Sequence, residues 1–249
     1  MTTPEFLQNL AATWNLFFVR KFPAEDAVPS AALFVLPGLI IGFFFALCAW
    51  TACILFGALA AGIAAAILYP LLYELLTNWT GLKNLTSFLE LRLGNCSPLE
   101  ALTAKAEPGH RITPVFVMGS LYLLRALAFG MIASHAPLLF LLIFTGAYLI
   151  RGELVSCSDG EAEPLLELSG KEKFFPYLLT GAVFVVLPVL SFHLRNIAGA
   201  ILIAAAVLAV RFYQVREIRR HTGRAVLRQI HIYGYGAELI LLYTGMIAL

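Results

Sequence analysis

A long uncharged segment near the N-terminus constrains the fold of this chain more than any other feature. From residue 31 to residue 73 the sequence has no charged side chain, and the first one to follow is Glu74. A run of 18 or more apolar residues is typical of a transmembrane helix. This segment is long enough for two such helices joined by a tight turn, and the break is predicted in the stretch from Gly57 to Gly62.

The rest of the chain continues the same pattern. Charged residues make up 13% of the sequence and hydrophobic residues 60%, whereas a soluble domain has roughly 25% charged residues. A membrane β-barrel is excluded because its strands alternate apolar and polar residues. We therefore predict an all-α integral membrane protein, a single polytopic domain of residues 1–249 with about seven transmembrane helices. Two lie within 31–76, and the others are predicted at 113–133, 137–155, 174–193, 196–212 and 231–249.

Residues 1–23 are predicted to form an amphipathic helix. Thr3, Pro4 and Glu5 follow the order of a helix cap, a first-turn proline and an early acid. Apolar residues then recur at roughly helical spacing as far as the basic turn at residues 20–23. We expect this helix to lie in the membrane interface, and a soluble helix packed on the loops is the alternative.

The basic residues predict the orientation of the chain. With the N-terminus placed inside, all 17 Lys and Arg residues except Arg125 and Arg195 fall in cytoplasmic segments. Such an asymmetry is a strong determinant of topology. The N-terminus is therefore predicted to be cytoplasmic and the C-terminus outside. The three long cytoplasmic loops are predicted at 77–112, 156–173 and 213–230.

Several stretches follow an order known from one family of membrane enzymes. They are an apolar hairpin that contains LPGLIIGFFFALCAW, a polar segment with Thr77, Leu82 and Leu85, and a last helix AELILLYTGMIAL. In this order, over nearly its whole length, the chain resembles the cobalamin synthase family, the adenosylcobinamide-GDP ribazoletransferases. The resemblance implies a multi-pass protein of the inner (cytoplasmic) membrane. It also implies transfer of α-ribazole or its phosphate to adenosylcobinamide-GDP, with Mg²⁺, in cobalamin biosynthesis.

The acidic residues of the family motifs are largely replaced in this chain. On the family frame, Lys83 and Ser87 fall where two aspartates belong, Arg228 falls near another, and Glu90 and Glu107 fall at two more. In the family the aspartates hold Mg²⁺ beside the diphosphate. A lysine there places a cation close to the metal, at a cost of about 1–4 kcal/mol. We therefore expect a catalytically degenerate protein with no assigned catalytic residue. Its candidate metal ligands are Glu90 and Glu107, and Mg²⁺ is its cofactor only if activity survives.

Arg125 lies deep inside a predicted span, where charged side chains face a partner or a cavity. One interpretation is an ion pair with Glu238, Glu74 or Glu153, and the other is a site for a polar ligand. Glu238 is predicted to be a structural acid, because the resemblance implies a glutamate in this helix.

A basic run, RFYQVREIRRHTGR, follows a predicted span. Basic residues at this place attract anionic lipid at about 1 kcal/mol each, and the alternative is a phosphate site. The candidate substrate or phosphate ligands of the chain are Arg111, Arg125, Arg219, Arg220 and Arg228.

Two classes of function follow from the sequence. One is a ribazoletransferase with an altered site, and the other is a non-catalytic membrane subunit or scaffold of a larger complex. The expected partners are the lipid bilayer and either another protein or a second copy of the chain. Nucleic acid is not expected, since the net charge is only +2.

Overall fold

The computed structural model of this protein is a bundle of helices, as the sequence predicts. It describes residues 3–18, 22, 33–93, 96–97, 101, 112–156, 175–191, 194–221 and 227–249. In chain order the helices of these residues are α1 (Thr3–Phe17), α2 (Val35–Phe56), α3 (Ala58–Leu76), α4 (Thr80–Leu93), α5 (Ile112–His135), α6 (Leu139–Ser156), α7 (Phe175–Ser191), α8 (Leu194–His221) and α9 (Leu227–Ile247).

Four helices of the described residues are long and apolar enough to cross a membrane, fewer than the seven predicted. They are Val35–Phe56, Ala58–Leu76, Phe116–His135 and Ile197–Gln214. Helices also occupy the other three predicted spans, as α6, α7 and α9. Arg151 and Glu153 lie within α6, and Arg228 and Glu238 lie within α9. Helix α7 contains the uncharged apolar stretch Pro176–Val186.

The break between α2 and α3 falls at Gly57, within the predicted stretch. Gly57 has a φ of 83°, a conformation that glycine adopts without a steric penalty. The single residue between the two helices forms the tight turn that the uncharged segment requires.

Two glycines let α2 approach α6 closely. Gly38 and Gly42 are one turn apart on α2 and both are buried. A Cβ atom added at Gly42 would lie 2.7 Å from the carbonyl oxygen of Phe140 and 2.8 Å from the Cα of Leu141. Small residues four apart are typical of close helix contacts in membranes, because they bring two backbones together.

Helix α6 is the centre of the bundle. It packs against α2, α7, α8 and α9, and every residue from Leu139 to Gly152 is buried. A helix that is covered on all sides is expected where the sequence is apolar all round. Arg151 lies at the end of this buried stretch.

The predicted cytoplasmic loops are partly helical, which corrects the prediction. Within 77–112, α4 forms because Leu82, Leu85 and Leu89 repeat at helical spacing among the polar residues, and Leu82 is fully buried. Within 213–230, α8 continues to His221 and α9 begins at Leu227, since Arg, Glu and Gln favour helix. Apart from Ser156, the loop at 156–173 lies outside the described residues.

Helix α1 ends at Phe17, earlier than the predicted end at residue 23. Its C-terminal half packs on the bundle through Ala12, Thr13 and Phe17, followed by Phe18, all of them buried. Its N-terminal half is only partly buried, with Leu7 57% exposed. The apolar face predicted from the sequence is therefore only partly used in packing.

Candidate functional site

Four helices of the bundle bring charged side chains together in its interior. Glu74 comes from α3, Arg125 from α5, Arg151 from α6 and Glu238 from α9. All four are buried. We call these four residues, with the tyrosines that bond to them, the ionic cluster. The tyrosines are Tyr73, Tyr148 and Tyr235.

Arg125 is held by two carboxylates. Its Nη1 donates to Oε1 of Glu74 and its Nη2 donates to Oε1 of Glu238. None of the three side chains is accessible to solvent. A guanidinium suits this place because its rigid fork presents several donors while its charge stays fixed.

Glu238 is shared between two arginines. Its second oxygen, Oε2, accepts from Nη2 of Arg151 at 2.9 Å and from the hydroxyl of Tyr73 at 2.7 Å. Nη1 of Arg151 in turn donates to the Tyr73 hydroxyl at 3.2 Å. Both carboxylate oxygens of Glu238 are therefore bonded, as a buried carboxylate requires.

The tyrosines complete the hydrogen bonding. The hydroxyl of Tyr235 donates to Oε1 of Glu74 at 3.1 Å and accepts from Nη1 of Arg125 at 3.2 Å. Because Tyr73 gives its only hydroxyl proton to Glu238, Tyr148 is the donor in the 3.3 Å contact between the Tyr148 and Tyr73 hydroxyls.

Aromatic rings also contact both cations. The guanidinium carbon of Arg125 lies 4.6 Å from the ring centroid of Tyr73, and that of Arg151 lies 4.4 Å from the centroid of Tyr148. Such contacts are worth about 0.5–2 kcal/mol each. They partly replace the water that the two guanidinium groups lose on burial.

The charges of the cluster balance, since two arginines face two glutamates. Burying ions costs several kcal/mol each unless they are paired and bonded. The pairing is nearly complete: among the fully buried nitrogen and oxygen atoms of the cluster, as far as the structure describes the chain, only Oε2 of Glu74 and Nε of Arg125 have no hydrogen-bond partner. The arrangement is that of an internal brace joining four helices.

A small cleft lies beside the cluster. Its volume is about 10 Å³, which is room for about one water molecule. The described residues that line it come from the ends of α1, α3 and α6 and the beginnings of α4 and α9, so these ends meet at one end of the bundle. The lining residues are Phe17, Tyr73, Thr77, Thr80, Gly81, Tyr148, Arg151, His231 and Tyr235.

The turn between α3 and α4 shapes one wall of this cleft. The amide of Trp79 donates to the carbonyl of Glu74 at 2.8 Å, and that of Asn78 to the carbonyl of Leu75 at 3.4 Å. This is a Schellman ending of α3, in which Asn78 takes the left-handed conformation at φ 53°. Trp79 also has a positive φ, 58°, which is unusual for a bulky residue.

Of the two interpretations of Arg125, the structure contains the ion pair. Two of the three predicted partners, Glu74 and Glu238, bind it. The third, Glu153, pairs instead with Arg211 of α8. Glu238, predicted as a structural acid, lies where both arginines of the cluster meet.

The other predicted site residues are not brought into the cluster. Glu90 lies on α4, half-buried, and no group of three or more His, Cys, Asp or Glu in the described part of the chain could hold a metal ion. Glu107 and Arg111 lie outside the described residues. Arg219 and Arg220 are in the last turns of α8 and Arg228 in the first turn of α9, with side chains outside the description.

Sequence reasoning missed Arg151 and the tyrosines. Arg151 was counted with the cytoplasmic residues, but its side chain is buried inside the bundle. A signal was available, because Tyr148 precedes Arg151 and Tyr235 precedes Glu238 by three residues. Residues three apart lie on the same face of a helix, so each pair marks a polar stripe in an apolar helix.

The fold and the cluster define an all-helical protein with membrane-length helices and a buried, charge-balanced core. No family model, no curated protein and no solved structure matches the chain. The resemblance to the cobalamin synthase family therefore stays a prediction from the sequence stretches quoted above.

Proposed function

We propose that this chain is a non-catalytic subunit or scaffold of a larger membrane complex, built on a cobalamin-synthase-like architecture. The observation that supports it is the closed ionic cluster. The charged groups that a membrane enzyme would turn towards a substrate are bonded to each other here.

Arg125 is one of these groups, because both of its ion-pair partners are glutamates of the same protein. A substrate phosphate at Arg125 would have to displace Glu74 or Glu238 and leave a carboxylate buried without its partner. Removing one partner of a buried ion pair costs about 3–5 kcal/mol. Ligand binding at this residue is therefore opposed by the cluster itself.

The geometry of α4 supports the resemblance and favours one second candidate, an Mg²⁺-dependent ribazoletransferase with an altered site. Lys83, Ser87 and Glu90 follow one another at four and three residues on this helix, so they share one face. These are three of the positions where the family has aspartates. In this candidate function Glu90 and Glu107 would hold the metal, whose charge neutralises the diphosphate.

An assay of the purified protein tests the proposal. Incubated with adenosylcobinamide-GDP, α-ribazole phosphate and Mg²⁺, it is expected to form no cobalamin phosphate. An active member of the cobalamin synthase family, purified in the same detergent, is the positive control. Sustained turnover by this chain would refute the non-catalytic proposal and leave the altered transferase.

A second experiment tests separately whether the residues of α4 are correctly aligned with the aspartates of the family. The double variant Lys83→Asp with Ser87→Asp adds two carboxylates on the face of Glu90, and we expect Mn²⁺ or Mg²⁺ to bind about tenfold more tightly or better. Isothermal titration measures it. The control Lys83→Asp with Asn84→Asp makes the same change in charge but puts the second acid on another face. An equal gain in metal affinity in both variants, or no gain in either, means that this alignment with the family is wrong.

The proposal includes the finer topology. We place the protein in the inner (cytoplasmic) membrane with seven spans, including α6, α7 and α9, a cytoplasmic N-terminus and an outer C-terminus. The meeting of the ends of α3 and α6 with the start of α9 supports a common side for the three polar segments. A membrane-impermeant thiol reagent added to intact cells is then expected to leave Cys96 unlabelled until the membrane is permeabilised. Labelling before permeabilisation means that the orientation is reversed.

The expected partners are the bilayer and either another protein or a second copy of the chain. Mass measurement of the purified complex in detergent separates these cases. A mass above the 27.2 kDa of one chain supports an assembly, and a strictly monomeric protein argues against the scaffold role.

A further inference from the structure

Helix α1 supplies the roof of the cleft beside the ionic cluster. Phe17 lines the cleft, and its ring centroid lies 6.0 Å from the guanidinium carbon of Arg151. The side chain of Arg151 is only 6% exposed. The phenyl ring therefore covers the charged residue that lines the cleft.

Aromatic contacts hold this roof in place. The ring of Phe17 meets those of Phe34, Tyr148 and His231 edge-on at 5.2, 5.7 and 6.0 Å. The ring of Phe18 stacks on Tyr148 at 6.1 Å. These contacts come from the C-terminal end of α1 and the residue that follows it.

The N-terminal half of α1 packs less closely on the bundle. In this half Leu7 and Gln8 are exposed, and Phe6, Asn9 and Leu10 are half-buried. A segment with few buried apolar contacts belongs to the part of a fold that opens locally while the core stays intact. The ionic cluster, by contrast, joins four helices.

We propose that α1 is a removable cover on the end of the bundle and that Phe17 is its seal. When α1 is docked, the ring keeps water and polar solutes away from Arg151. When α1 lifts, the guanidinium of Arg151 becomes accessible, while Arg125 remains enclosed by Glu74 and Glu238. Within the described residues, the bonds of Arg151 use two of its five N–H groups. A solute that enters therefore finds donors without breaking the cluster.

Arginine modification of the full-length protein tests this proposal. Phenylglyoxal, which reacts with accessible guanidinium groups, is added to the protein in detergent, and mass spectrometry follows each arginine. In the unmodified sequence we expect slow labelling of Arg151 and fast labelling of the exposed Arg92. Phe17→Ala removes the ring that covers Arg151 and leaves a cavity in its place. The rate of labelling of Arg151 is therefore expected to rise by about tenfold or more.

A matched variant and an internal reference make the outcome decisive. Phe22→Ala removes a ring that is 42% exposed and that does not line the cleft, so Arg151 should keep its slow rate. Arg125 should stay unlabelled throughout, which reports an intact bundle.

If Phe17→Ala unfolds the protein and Arg125 becomes labelled, Phe17→Leu, which keeps part of the seal, decides in its place. The proposal is overturned if Arg151 reacts as fast as Arg92 in the unmodified sequence. It is also overturned if the deciding variant leaves the rate at Arg151 unchanged while Arg125 stays protected.

Discussion

Arg125→Ala is expected to remove most of the folded protein. The change leaves Glu74 and Glu238 buried. Among the described residues, Glu238 then keeps its bonds to Arg151 and Tyr73, and Glu74 keeps its bond to Tyr235. Truncating one partner of a buried pair costs about 3–5 kcal/mol, and here one side chain serves two carboxylates. The free energy of unfolding should fall by at least that amount. Size-exclusion chromatography and thermal unfolding in detergent measure the loss.

Two companion variants identify the cause. Arg125→Lys keeps the charge but replaces the rigid fork by a single ammonium group, so a milder loss is expected. Arg125→Met with Glu74→Gln removes one ion pair as a unit and leaves the Arg151–Glu238 pair, so it should recover part of the stability lost in Arg125→Ala. Arg92→Ala, at an exposed position on α4, is the control. Normal yield and normal thermal stability of Arg125→Ala would show that Arg125 is hydrated or functional rather than a brace.

Gly42→Leu is expected to disrupt the contact between α2 and α6, with Gly42→Ala causing a smaller loss. The added Cβ meets backbone atoms of Phe140 and Leu141 at 2.7 and 2.8 Å, and backbone cannot rotate away as a side chain can. Overpacking of this kind costs about 1–3 kcal/mol for the alanine and more for leucine. It outweighs the gain of about 1 kcal/mol in helix propensity.

Gly119 provides the matched control for this prediction. It lies on α5, and a Cβ added there meets nothing within 4 Å. Gly119→Ala and Gly119→Leu should therefore leave the melting temperature unchanged or raise it slightly. If Gly42→Ala has the same melting temperature as Gly119→Ala, α2 and α6 do not pack as closely as described at Gly42.

The apolar hairpin and the pairing of Arg125 could be predicted from the sequence because each has a simple physical cause. An uncharged stretch from residue 31 to 73 has few alternatives to a pair of membrane helices. A charge in the middle of a span must find a partner, and few acids are available to Arg125. In both cases only a few structural arrangements are compatible with the sequence.

Helix α4 and the role of Arg151 could not be predicted in the same way. The leucines of α4 repeat at helical spacing, but the residues around Leu82 include Thr and Asn, which are common in loops. The segment could therefore be interpreted as a loop. Arg151 lies near the end of its helix. A basic residue at such a position is normally assigned to the cytoplasmic side of the membrane. Its place in the bundle is decided by Glu238, which is 87 residues away in sequence. Contacts between such distant residues depend on how the helices assemble, which no local pattern records.

The order of the charged residues along the chain has a consequence for biosynthesis. Glu74 emerges from the ribosome first, Arg125 and Arg151 follow, and Glu238 comes last, 113 residues after Arg125. Until the helix that carries Glu238 is made, the nascent protein holds two arginines of the cluster against one glutamate. The charge balance of the interior is therefore reached only when α9, the last of the four helices to be made, joins the bundle.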